Sequence, residues 1–288
     1  MNSHILNQKL DWLHFGFATM GIERELVGKA IGAKVAVSFR GYDISIYPLQ
    51  HENCYETLWR NIDKIHTISN DLLVEAYDLG LPRNIEAVKI PPAIDVKNFV
   101  ILKRNFFENN MIRILTVGRL HWKKGLEYTL DAISKVKKSG YSIQYTIAGE
   151  GIEYERLVYA AFQLGLKDEV KFVGRVQHHE IPKLMETHDV YIQYSVQEGF
   201  CNAVLEAQAA GMLCIVSDAE GLAENVLHEK TGWVIAKRQP ELLAKQIELV
   251  YNLPPIEWDK ISINAVKRVQ QEFNLDVQRK EFSKFYAG

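Results

Sequence analysis

Two glutamates, Glu198 and Glu206, bracket seven residues in the segment EGFCNAVLE. The segment lies between an apolar run ending near Tyr194 and a helical pattern beginning near Asn202. Asn202 is a favoured residue type for a helix N-cap. Gly211 stands where a C′ glycine closes a helix. The loop 195–201 is therefore expected at the carboxyl end of a strand and the amino end of a helix. In open α/β sheets that is where ligands bind, and the unsatisfied N–H groups there attract phosphate. Gly199 would let the backbone approach a ligand closely. Glu206, about one turn into the helix, can accept hydrogen bonds from ribose hydroxyls, and Glu198 stays in the loop, nearer a sugar. Taken alone, the pair could equally be two glutamates on a solvated surface.

A second strand end changes that balance. VGRL is followed by HWKKG, so Arg119 and Lys124 sit on another strand-to-helix loop at the same sheet edge. Two cations there could hold a diphosphate, arginine through its planar fork and lysine as a point charge. A diphosphate gains negative charge as its bond to a sugar breaks, so these contacts strengthen in the transition state.

The elements needed to place these residues are legible as alternation. Short β-branched runs at 12–15, 34–39, 64–69, 87–90, 113–117, 143–148, 170–173, 190–194 and 213–217 read as strands. Helical patterns fill 22–31, 51–60, 70–79, 125–138, 152–164, 180–187, 202–210 and 221–228, and dominate 239–285. Such alternation predicts right-handed βαβ units and mostly parallel sheets. The polar stretch 103–112 predicts a boundary. The expected domains are 1–105, with too few strands for a complete doubly wound sheet, 106–270, and a helix at 271–288 folding back on the first.

Composition removes other chemistries. With 34 basic and 36 acidic residues the net charge is -2, which argues against nucleic acid as a partner. Three cysteines, widely spaced and without a Cys-x-x-Cys pair, argue against a disulfide framework or a zinc knuckle. The start of the chain lacks the pattern of a secretory signal, so a cytoplasmic location is expected. Gly149-Glu150-Gly151 has no third glycine at 154, which disfavours a dinucleotide fingerprint. His178 and His179 read as exposed helix-start residues with no metal-ligand partner at the right spacing.

VGRLHWKKGLEYTLDA and EGFCNAVLEAQAAGMLCIVSDAEGLAENV resemble the donor-binding half of glycosyltransferase family four, the retaining enzymes of GT-B fold. IAGEG and FVGRV are similar to that family's glycine turns, and HTISNDLLVEAYDLGLP and IPPAIDVKNF to its interdomain segment. These matches span roughly residues 65–235. The resemblance implies two Rossmann-like domains with parallel sheets and a C-terminal crossing helix. It implies that Arg119 and Lys124 hold the donor diphosphate, Glu206 the ribose and Glu198 the sugar. Phe200, Cys201 and Asn202 would offer backbone N–H groups, and Val176 would lie beside the nucleobase. The implied activity is transfer of a hexose, with retention, from a nucleoside diphosphate sugar to a glycan or lipid-linked acceptor, without a metal or other cofactor. The sequence agrees in lacking an Asp-x-Asp pair. The likeness leans towards enzymes of bacterial exopolysaccharide and lipopolysaccharide assembly, colanic acid among them. Peripheral association with the inner face of a membrane is compatible with such acceptors.

Two departures qualify the expectation. The family's first βα units would precede DWLHFGFA, which here begins at Asp11. A truncated amino-terminal domain, or a separate fragment supplying it, is therefore expected. In SFRGYD, Arg40 stands where the family often has histidine; arginine can meet a phosphate or an acidic acceptor but cannot serve as a base. The alternative is a chain that binds nucleotide sugar without transferring it. A nucleotide-sugar epimerase fits the Glu-x7-Glu spacing poorly.

Overall fold

The computed structural model describes residues 3–99 and 105–287. The chain forms two compact units, Met1–Pro92 with Asp276–Gly288, and Ala93–Leu275. The division falls ahead of the polar stretch at 103–112, where the sequence placed the domain boundary. Lys103 and Arg104 of that stretch lie outside the described residues.

The first unit is a four-stranded parallel sheet in the order β1 (Trp12–Phe15), β2 (Lys34–Phe39), β3 (Lys64–Thr67), β4 (Glu86–Lys89). Its helices are α1 (Ser3–Leu6), α2 (Val27–Ile31), α3 (Glu56–Trp59) and α4 (Asn70–Asp78). Every residue of β2 after Lys34 is buried, as an apolar run covered on both faces should be. Ser69 caps α4 by accepting the Leu72 N–H. The expected helix at 22–31 is realised only over α2, because the preceding residues turn and Glu23 takes φ 62°.

The second unit carries β5 (Met111–Val117), β6 (Ser142–Ala148), β7 (Val170–Gly174), β8 (Val190–Gln193), β9 (Leu213–Ser217) and β10 (Trp233–Ile235). All six are parallel, in the order β10-β9-β8-β5-β6-β7. Counted from β5, this is the doubly wound order 3-2-1-4-5-6, whose direction reverses between β5 and β8. The helices are α5 (Leu126–Lys138), α6 (Tyr154–Gln163), α7 (Ile181–Glu186), α8 (Asn202–Ala209), α9 (Pro240–Tyr251) and α10 (Pro255–Glu272). In α5, Leu126, Thr129, Leu130, Ile133 and Val136 form the buried stripe. Three lysines in its last turn complement the helix dipole. Pro240 and Pro255 open α9 and α10, where a missing N–H costs nothing. Residues Val204–Ala209 of α8 are buried all round, which places Glu206 and Gln208 inside the protein. Among the described residues, no helix is long and apolar enough to cross a membrane.

The last helix, α11 (Leu275–Ala287), returns to the first unit. Phe285 is fully buried against Ala36 and Ile90, with Trp12 and Phe282 around it. The Lys64 ammonium donates to the Phe285 carbonyl (3.0 Å) and the Trp12 indole to that of Tyr286 (3.2 Å).

Beneath α11 runs a polar chain from Tyr286 through His14, Ser38 and His66 to the Ile90 carbonyl. Burial, assisted by the Arg40 charge, lowers the pKa of both histidines to about 4, so each is neutral near pH 7. A carbonyl can only accept, which fixes every proton. His66 Nε2–H donates to Ile90 O, Ser38 donates to His66 Nδ1, His14 Nε2–H donates to Ser38, and Tyr286 donates to His14 Nδ1. Because the folded pKa lies below the ordinary 6.5, the unfolded chain binds more protons between these values. The stabilisation is complete above pH 6.5 and is lost as the pH falls towards 4. Calorimetry should show the melting midpoint falling by several degrees between pH 7 and 4.5, and a shallower slope for His14→Gln/His66→Gln. An equal slope in the double variant would count against this assignment.

Candidate functional site

The strand order of the second unit reverses between β5 and β8, and the loops that leave these two strands carry the chemistry. Their backbones are bonded to one another. Gly118 N–H donates to the Ala148 carbonyl (2.9 Å), Leu120 N–H to Glu150 (2.9 Å) and Gly149 N–H to Gly174 (2.7 Å), joining the loops after β5, β6 and β7. Val196 N–H donates to the Lys123 carbonyl (2.7 Å), joining the loops after β5 and β8. Two glycines make this closeness feasible. Gly149, at φ 149°, faces the Gly118 carbonyl oxygen, and Gly125, at φ 58°, faces that of Tyr194. A Cβ at either position would overlap that oxygen.

Lys124 and Glu198 form an ion pair across these loops, with side chains 15% and 17% exposed. The Lys124 side chain lies over Gly118. Behind Glu198 stands a buried polar file. Tyr191 donates to the side-chain Oε1 of Gln193 (3.1 Å), and Gln193 Nε2 donates to Ser195 Oγ (2.8 Å). Ser195 in turn donates weakly to Glu198 (3.4 Å). The Glu198 N–H donates to the Glu220 carboxylate (2.8 Å), which also receives the Lys237 ammonium (2.9 Å).

Cys201 needs two corrections. It, and not Asn202, occupies the N-cap of α8, and Asn202 is the first helical residue. Its N–H does not point free to a ligand, because it donates to Asn225 Oδ1 (3.1 Å), while Asn225 Nδ2 donates back to the Cys201 carbonyl (2.9 Å). Asn225 supplies the paired bonds of a strand neighbour, so that N–H is spent on holding the loop. Burial pushes the Cys201 thiol up to about 11, so it stays protonated and inert. Phe200 is buried and its ring lies 5.8 Å from that of Phe273. Gly199 is buried and Asn202 exposed. Asn202 opens α8, where first-turn N–H groups lack intrahelical acceptors.

Arg119 is exposed and lines a cavity of about 300 Å³ with Gly118, Gly149, Arg175, Val176 and Ile181. Val117 and Ala148 contribute to its apolar floor. Glu206 is buried, and its Oε1 meets His178 Nε2 at 2.9 Å, although the His178 side chain is 77% exposed. The sequence reading set His178 aside; only its place just after Gly174-Arg175-Val176 could have signalled the contact. Arg40 belongs to the first unit. There the Asp43 carboxylate accepts the N–H groups of Arg40 (3.0 Å), Gly41 (2.9 Å) and Ala18 (3.0 Å), fixing the loop that presents the guanidinium. A larger cavity of about 630 Å³ in that unit is lined by Glu52, Trp59, Arg60, Asp78 and Leu79, among others. Several of these precede β3 and β4, at the sheet edge opposite the one where α/β ligands sit. Among the described residues, no group of three or more His, Cys, Asp or Glu is placed to hold a metal ion.

The second unit thus offers a small apolar-floored cavity, a buried carboxylate with its imidazole, and two cations, Arg119 and Lys124, on the loop after β5. Residues 99–268 match the model of the family described as glycosyl transferases group 1. WcaL of Escherichia coli (strain K12), a glycosyltransferase provisionally assigned to colanic acid biosynthesis, is 29% identical over 280 residues, covering 94% of this chain and 68% of that protein. The amylovoran biosynthesis glycosyltransferase AmsK of Erwinia amylovora is 27% identical over 284 residues, with the same coverage of 94% and 68%. The crystal structure of HepE from Anabaena, in complex with UDP and glucose, superposes with a TM-score of 0.83 at 17% identity, covering 96% of this chain and 78% of that one. That likeness shows the GT-B fold, with its two parallel sheets.

Proposed function

This chain belongs to the glycosyl transferases group 1, and from that membership we propose that it transfers a hexose, with retention, from a nucleoside diphosphate sugar to a hydroxyl of a glycan or lipid-linked acceptor. The observation that carries the reading is the placement of Arg119, Lys124, Glu198 and Glu206 on the segments that leave β5 and β8, where the strand order of one sheet reverses, with Lys124 and Glu198 paired across them. The cavity beside Val176 and Ile181 suits a nucleobase, with Val176 read through its backbone. Glu206, oriented by His178, accepts the ribose hydroxyls. Arg119 and Lys124 hold the diphosphate, joined by N–H groups at the start of α8. Glu198 receives the sugar's hydroxyls.

In the reaction, the bond from the anomeric carbon to the phosphate oxygen breaks. The acceptor oxygen bonds to the same face of that carbon, and its proton passes to the departing diphosphate. Charge growing on the leaving group is met by Arg119 and Lys124, so no metal ion is required of this site. Arg40 is assigned to an anionic group of donor or acceptor. The relatives named for colanic acid and amylovoran biosynthesis support an exopolysaccharide acceptor, and the cytoplasmic face of a membrane is the location that suits a lipid-linked one.

Calorimetry with UDP, GDP and ADP tests the reading. One base should bind, and Glu206→Ala should weaken it about tenfold, the low end of what a lost bond to a charged group removes. The variant should also lose its preference for the ribonucleotide over the 2′-deoxy form. No binding of any of the three would sink the reading. Binding without slow hydrolysis of the matching hexose donors would favour a subunit that holds nucleotide sugar but does not transfer it.

A further inference from the structure

The Glu198 loop is held from a direction that the proposed chemistry does not use. Glu220 follows β9 and takes φ 35°, a positive value uncommon for a residue with a side chain. Its carboxylate is bonded on both sides. One carboxylate oxygen accepts the Glu198 N–H at 2.8 Å, and the other receives the Lys237 ammonium at 2.9 Å. Lys237 is itself fixed at the end of the sheet. Its N–H donates to Asp218 Oδ1 (2.8 Å), and the Asp218 N–H donates to the Ile235 carbonyl (2.9 Å). A line of bonds therefore runs from the ends of β9 and β10, through Lys237 and Glu220, to the backbone of Glu198. The Glu198 carboxylate is held separately, by Lys124 and Ser195.

We infer that Glu220 is a positioning residue for Glu198, and that Lys237 neutralises it beside a site built for a diphosphate. This rests on the donor-site reading above. Glu220 sets the height of the loop through one N–H, and so decides where the Glu198 carboxylate meets a sugar. A bare carboxylate beside a diphosphate would repel it, and Lys237 removes that cost. The two residues thus make opposite electrostatic contributions to anion binding, although they are bonded to each other. A residue that merely supports the fold would not behave in this way.

The probe is whichever of UDP, GDP and ADP the wild-type protein binds. Glu220→Ala removes a negative charge and releases a cation, so diphosphate binding should tighten about two- to fivefold. Lys237→Met leaves the carboxylate bare, so binding should weaken about five- to tenfold. Glu220→Gln keeps an acceptor for the Glu198 N–H but sheds the charge, so it should tighten binding as alanine does. Hydrogen exchange of the peptide 195–201, measured without ligand, separates position from charge. It should rise about tenfold in Glu220→Ala, stay near wild type in Glu220→Gln, and leave β5 and β6 unchanged in both. If the wild type binds no nucleotide, the donor-site reading fails and this inference with it. If it binds one, the inference alone is overturned by weaker binding in both Glu220→Ala and Lys237→Met. Unaltered exchange of 195–201 in Glu220→Ala would overturn it equally.

Discussion

Lys124→Ala should lower affinity for the nucleoside diphosphate on the order of 100-fold, the largest loss expected of any single side chain in the site. A hydrogen bond to a charged group contributes about 1.5–3 kcal/mol, and here its removal does a second harm. Lys124 is the ion-pair partner of Glu198, so alanine leaves a half-buried carboxylate uncompensated where the diphosphate must sit. The two effects act in the same direction. Lys124→Arg should recover part of the affinity by restoring the charge, and Glu198→Gln in the alanine background should recover part by removing the repulsion. Titration calorimetry at low and physiological salt reads all three. A loss below about threefold for Lys124→Ala would mean that the diphosphate is held elsewhere.

Gly149→Ala should cost about 3 kcal/mol and abolish nucleotide binding with it. The added methyl would overlap the Gly118 carbonyl oxygen, which belongs to the backbone and cannot rotate away. It would also force a side chain to φ 149°. The displaced turn carries the bonds from Gly118 to Ala148 and from Gly149 to Gly174, so the loops after β5, β6 and β7 would part together. For a unit of this size the midpoint should fall by about 6–12 °C. Gly140→Ala is the control: it also lies at positive φ, at 90°, but has open space around it, and it should pay the backbone strain alone. Equal losses in the two variants would show that crowding at Gly149 is not the cause.

The sequence disclosed elements whose patterns are local. The bounds of β1, β2 and β9 follow from short β-branched runs, and the switch-point loops from the positions of Gly118, Gly125 and Gly199 between such runs. It did not disclose β10, because three residues after Gly232 carry no periodicity, and their partner β9 lies well upstream in the chain. The same limit hid His178, Glu220, Asn225 and Lys237. Each acts through a bond to a residue distant along the chain: His178 to Glu206, Glu220 to Glu198, Asn225 to Cys201, Lys237 to Glu220. Helix-cap and strand patterns register neighbours three or four places away, so they are blind to such pairs. Asn202 shows the converse error, since a favoured cap residue lost the cap position to Cys201 once Asn225 had tied down the loop before it.

The return of α11 to the first unit sets an order of events during synthesis. Phe285 and the carbonyls of Phe285 and Tyr286 complete the face of a sheet whose strands all precede Pro92. The intervening residues Ala93–Leu275 must be made before that face can close. At about 5–20 residues per second, those roughly 180 residues take on the order of 10–40 s. Through that interval the β1–β4 sheet waits with Ala36, Ile90 and Trp12 uncovered, while the second unit, continuous in sequence, is free to fold as it emerges. The β1–β4 sheet, translated before the second unit, is therefore finished after it, and a ribosome that stalls between Pro92 and Phe285 releases a chain with that sheet still open.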